Sequence, residues 1–166
     1  EGSGSHELTD VADLLGSSLK QTEYLDPGTL TWTNGPNIPE PKAGHGCITL
    51  ADGRILMSGG ITYSTIFGIR IPDFSNQASI YDPATGTFSS ARNIGSKRAL
   101  FAEVLLPSGK VAFFGGAGGD ILNVGPIRNC NLYDPITENS SGLSQLPGDR
   151  AFGRAVSVGG GNCLII

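Results

Sequence analysis

Three cations recur in one phase along the chain. Lys42, Arg98 and Arg150 are separated by 56 and then 52 positions, each directly ahead of an alternating apolar stretch. If the repeat is structural, symmetry sets all three on one face, and a ring of cations there suits a carboxylate or phosphate, with Arg making two-pronged contacts. A cation in that place can equally bond loop carbonyls. Arg154 follows on the same stretch without an equivalent in the other repeats, and is read as a further binding candidate. His45 aligns with Phe101 and Gly153 and so is no repeated feature; the other histidine, His6, is remote in sequence. Neither belongs to a Ser-His-Asp arrangement, and with no Cys-x-x-Cys the chain offers no metal-ligand spacing. Catalytic and metal-binding residues are therefore assigned to none, and no cofactor is expected. The cysteines are Cys47, Cys130 and Cys163. Cys47 reads as a small buried hydrophobe, and a Cys130–Cys163 disulfide is one pairing open to an odd set. Asn139-Ser140-Ser141 fits the acceptor pattern for N-glycosylation.

These residues sit on a scaffold written in repeats. Leu25-Asp26-Pro27-Gly28-Thr29, Tyr81-Asp82-Pro83-Ala84-Thr85 and Tyr133-Asp134-Pro135-Ile136-Thr137 share a signature. Residues 42–60, 98–116 and 150–166 share a second one and align without gaps at the same two offsets. Two signatures shifting together mark a repeat near 50 residues. Ile48, Leu50, Ile55 and Met57 alternate around Ala51-Asp52-Gly53, and Val104, Leu106, Val111 and Phe113 around Pro107-Ser108-Gly109. Alternation across a short Gly-bearing turn is a β-hairpin. Gly59-Gly60 and Gly115-Gly116 end the second strand of each hairpin, where positive φ or close backbone approach calls for Gly. Asp-Pro-x-Thr is a turn, with Pro fixing φ and Asp bonding the following backbone. Trp32 and Phe88 then fall on the next strand.

The period, the Gly-Gly pairs, the Tyr-Asp-Pro turns and the aromatics at 32 and 88 resemble the kelch repeat, including the propeller core of the galactose oxidase family. The resemblance covers roughly residues 22 to 166. It implies an all-β, kelch-like β-propeller segment with four strands per blade: a partial blade at 22–33, whole blades at 43–91 and 99–143, and a partial blade at 151–166. Residues 1–21 take the place of an inter-strand loop or N-terminal segment, with a short helix within 7–19. The fold hosts many roles. Some kelch adaptors hold acidic peptides with arginines near the position of Arg98. A copper-radical oxidase of this family needs two His and two Tyr ligands; Tyr24, Tyr81 and Tyr133 instead fall on structural repeat positions, Tyr24 one residue out of register.

About three blade-equivalents cannot close a propeller, which takes 4–8. Either further blades complete it, or copies join head to tail through their open edges. The 166 residues include 25 Gly, too many for a helix bundle, and 39% hydrophobic residues, enough for a core. A net charge of −4 argues against a nucleic-acid partner, and no apolar run is long enough to span a membrane. The expectation is a non-catalytic interaction and structural protein, binding protein or glycan partners through loops and assembling through blade edges, secreted and glycosylated. The alternatives are the scaffold of a galactose-oxidase-like copper oxidase and a cytoplasmic substrate adaptor.

Overall fold

The computed structural model describes residues 18–67, 69–119 and 123–166. His6, and all but the end of the helix expected within 7–19, lie outside the described residues.

The chain opens with a hairpin of β1 (Glu23–Asp26) and β2 (Thr31–Asn34). Next come β3 (Gly46–Thr49) and β4 (Ile55–Ser58), a side hairpin of β5 (Ile61–Ile66) and β6 (Ile69–Phe74), then β7 (Ala78–Asp82) and β8 (Thr87–Ala91). The plan repeats with β9 (Ala102–Leu105), β10 (Val111–Phe114), a small pair β11 (Ala117–Gly118) and β12 (Gly125–Pro126), then β13 (Cys130–Asp134) and β14 (Asn139–Leu143). A last hairpin joins β15 (Ala155–Val158) to β16 (Asn162–Ile165). β3-β4-β7-β8 and β9-β10-β13-β14 are each a four-stranded antiparallel meander. The molecule is an all-β, open propeller-like segment: two full blades flanked by a half-blade of outer strands and a half-blade of inner strands. No helix occurs among the described residues.

The innermost strands β3, β9 and β15 are neighbours in that order. Gly44, Leu100 and Phe152 share a repeat position and all adopt left-handed backbone, with φ of 60°, 55° and 61°. The Leu100 amide donates to the Gly44 carbonyl at 2.8 Å and the Phe152 amide to the Leu100 carbonyl at 2.7 Å. A chain of backbone hydrogen bonds thus links successive blades along the inner edge.

Gly-Gly makes the second link. Gly60 N–H donates to Arg98 O at 2.8 Å, and Gly116 N–H to Arg150 O at 2.7 Å. The preceding glycines lie so close to the next blade that a Cβ on Gly59 would sit 2.6 Å from Arg98 O, and one on Gly115 only 2.4 Å from Arg150 O. Both also hold positive φ, 62° and 59°, so the motif is required by approach and by conformation together.

The Asp-Pro turns close as their chemistry directs. Asp26 Oδ1 accepts from Gly28 N–H at 2.8 Å, Asp82 Oδ1 from Ala84 N–H at 2.8 Å and Asp134 Oδ1 from Ile136 N–H at 3.0 Å. These amides hold the Asp26 and Asp134 carboxyls below the usual carboxylate range.

The core lies between the blades. Leu56, Ala78 and Ile80 of the first full blade meet Phe101, Val111, Phe113 and Tyr133 of the second in one buried cluster. Phe101 and Phe113 pack edge to face with centroids 5.6 Å apart. Since side chains alternate across a strand, Tyr133 faces the preceding blade and Leu132 the following one. Ile38 and Ile94, at matching repeat positions, are buried anchors whose amides bond back to Lys20 O and Asn76 O at 2.8 and 2.9 Å.

Candidate functional site

The segment ahead of each inner strand crosses under its own blade, and this decides where the repeated cation goes. Arg98 N–H donates to Ser75 O at 3.0 Å and the neighbouring Ala99 pairs with Ala117, so the Arg98 side chain turns inward. It is fully buried. Its Nη1 donates to Gly115 O at 2.9 Å and Asn129 O at 3.0 Å, and its Nη2 to Asn131 Oδ1. No carboxylate pairs with it among the described residues; carbonyl dipoles at the ends of β10 and β13 solvate the charge. Burial pulls its pKa down to about 10, which still leaves it charged at neutral pH.

The expected ring of ligand-binding cations is therefore corrected. Arg98 ties its own blade together and presents no donor to solvent. Lys42 is also buried, and burial lowers its pKa against the opposing charge of Glu40. Arg150 and Arg154 are exposed. Arg150 Nη1 donates to Ile165 O at 3.2 Å, Arg154 Nη1 donates to Gly153 O at 3.1 Å, and the Arg154 backbone pairs with Ile166. Of the four candidates, these two come together at the β15–β16 hairpin, both exposed.

A polar seam that the sequence reading passed over runs between β3 and β9. Glu103 lies on β9, at the repeat position of Cys47 on β3. Its carboxylate accepts from the Cys47 amide, while its Oε2 is buried without a partner. That oxygen would lie 2.5 Å from a Cβ placed on Gly46. Burial pushes the Glu103 pKa up to about 7. Cys47 is exposed where a buried hydrophobe was expected, and partial desolvation by its neighbours, with the Glu103 charge, raises its thiol. His45 Nδ1 is another buried atom without a partner, and burial lowers its imidazole pKa, with Lys42 adding to the effect. A glutamate inside an alternating strand gives no sequence signal of its burial; its repeat partners, Cys47 and Ala155, are what make it stand out.

Asn139 is exposed at the start of β14, with Arg92 Nη1 3.4 Å from its Oδ1. It borders an open cavity of about 250 Å³ whose lining includes Lys110, Leu132, Asp134 and Ser141. Lys110 Nζ stands 3.5 Å from Asp134 Oδ2 there. The expected disulfide is also corrected: Cys130 is buried in β13, Cys163 lies on β16 in another sheet, and both thiols are free. Among the described residues no group of three or more His, Cys, Asp or Glu is placed to hold a metal ion, and no helix is long and apolar enough to cross a membrane.

No protein-family model matches the chain, and no curated protein matches it. Among solved structures it is similar to one described as the structure of YjhT, with a TM-score of 0.73 and 18% identity over 87% of this chain. The match covers 50% of that structure, so this chain spans about half its length. At that identity the likeness is one of fold.

Proposed function

We propose that the chain is a kelch-like propeller segment that acts as an interaction and structural protein, in an extracellular setting, through its blade edges and blade-top loops. The observation that carries this is a set of exposed apolar side chains on the outer hairpins, beside loops that vary from blade to blade. Tyr24, Leu25 and Trp32 on the first half-blade are 44%, 45% and 65% exposed, and Val156 and Leu164 on the last are 45% and 50% exposed. Exposed apolar residues beside strand edges that have no partner strand among the described residues suit an association surface. The side hairpins β5–β6 and β11–β12 leave matching positions of the two full blades but differ in length, as ligand-facing loops on a rigid scaffold do. The protein or glycan ligand meets these loops. Asn139, exposed as an acceptor must be, carries the glycan in this reading.

Light scattering over a dilution series tests the edge role. The expected result is a particle at a multiple of the 17.2 kDa chain mass. A monomeric, cooperatively folded 17.2 kDa species at all concentrations overturns it.

A further inference from the structure

Two phenols meet where the first hairpin packs on the first full blade. Tyr24 stands on β1 opposite Thr33, and Tyr81 on β7 opposite Ile55 and Phe88. Their hydroxyls are bonded to each other, across a sequence separation of 57. By the repeat offset, Tyr24 and Tyr81 hold the places that Ile80 and Tyr133 hold at the next joint. Ile80 and Tyr133 are buried in the apolar cluster. Tyr24 is instead 44% exposed and Tyr81 half-buried. Packing alone calls for an apolar residue at 24, as at 80; the phenol there brings a redox-active group.

Both rings are held from outside the pair. The Tyr81 ring packs on Phe88 with centroids 5.0 Å apart. Tyr24 is fixed by the β1–β2 pairing, which the Gly35 amide extends by donating to Thr22 O at 2.7 Å. The bond with Tyr24, then desolvation and nearby charge, raises the Tyr81 pKa, so no charge on its oxygen parts the pair at neutral pH. The other two tyrosines are placed elsewhere, Tyr63 on the side-hairpin strand β5 and Tyr133 fully buried in the core. Two oxidisable groups fixed beside each other react as if at high concentration.

We infer that Tyr24 and Tyr81 form an oxidative crosslinking site, at which a haem peroxidase with hydrogen peroxide joins the two rings by a carbon–carbon bond. Each phenol gives up one electron and its hydroxyl proton. The two phenoxyl radicals couple at ring carbons ortho to oxygen, and the two ring protons displaced there return to the oxygens. One hydrogen peroxide takes up the two electrons and two protons and leaves as two waters. The new bond ties the first hairpin to the first full blade and closes a loop that restricts the unfolded chain. It lies within one molecule and so stands apart from edge association.

The test treats the dilute chain with a haem peroxidase and limiting hydrogen peroxide. The monomer is expected to lose the mass of two hydrogens. Trypsin should then release peptides 21–42 and 71–92 as one joined species with dityrosine fluorescence. Oxidation of Met57 or Trp32 adds oxygen and is told apart by mass. Tyr24→Phe and Tyr81→Phe, which keep their rings, should each abolish the joined species, while Tyr63→Phe should leave it. A mixture of the two free peptides should give less than about a tenth as much, because the fold brings the rings together. The crosslinked monomer should unfold at a higher urea midpoint than the untreated one. Absence of the two-hydrogen loss in the folded monomer overturns the site. So does a joined species that survives Tyr24→Phe, an equal yield from the free peptides, or crosslinking only between chains.

Discussion

Arg98 is a buried cation held by carbonyl oxygens, and the energetics of that arrangement set what its removal costs. Arg98→Ala strands the carbonyls of Gly115 and Asn129 and the side chain of Asn131 without donors. Each orphaned buried acceptor costs about 1–3 kcal/mol, so a loss of about 3–5 kcal/mol is expected in urea unfolding followed by circular dichroism. Arg98→Lys keeps the charge but not the planar fork, and should still lose about 2 kcal/mol. Arg150→Ala, exposed and bonded once to Ile165 O, should change stability by less than about 0.5 kcal/mol. The sequence set these arginines in one phase but did not show which way each side chain turns. That depends on what lies beside each guanidinium, which for Arg98 is Gly115 and residues 129–131 of its own blade.

Glu103 makes stability depend on pH in the unusual direction for a carboxylate. Its folded pKa of about 7 lies above the ordinary 4.5, so between those values the folded state holds the proton more tightly. Stability contributed by the protonated form is present below pH 4.5 and lost as pH rises toward 7, by up to about 3 kcal/mol. His45 acts oppositely: its lowered pKa removes stability as pH falls below 6.5. Glu103→Gln separates the two. It should raise the urea midpoint at pH 8 and flatten the slope from pH 4.5 to 7, whereas an unchanged slope would mean that Glu103 reaches water.

At the scale of the element, the Gly-Gly crossing is the tightest joint. Gly115→Ala meets Arg150 O at 2.4 Å in left-handed backbone, while Gly53→Ala, at a φ of 87°, meets no atom within 4 Å. The hairpin-turn substitution should cost about 1 kcal/mol, the conformational penalty alone. Gly115→Ala should cost at least about 2 kcal/mol more, because two backbones must part, and comparison of the two thermal midpoints checks the difference. Strands, turns and crossings were legible because each leaves a repeated local mark: alternation, Asp-Pro, Gly-Gly. The anchor at Ile38, Ile94 and Leu146 left a mark as well, an apolar residue four positions ahead of each repeated cation, and it passed unused. The hairpins β5–β6 and β11–β12 lacked any such mark, because their sequences are not repeated.

For the whole molecule, the sheet count carries the account. Two full blades share the buried cluster, and the half-blades keep their apolar residues exposed. What a strand edge would pair with is not legible in sequence, because an edge recruits through backbone groups that every sequence possesses. Burial of the inter-blade faces, not the count of loops, should therefore govern stability, and association should raise the thermal midpoint with protein concentration.

Hydrogen exchange of backbone amides at low and high protein concentration tests the central claim most directly. Amides in residues 22–25 and 163–166 should slow by about tenfold or more in the associated form, as strand edges become strand interiors. Equal exchange in both segments at every concentration, in a chain that remains folded, would contradict the claim that these edges are where the protein meets its partner.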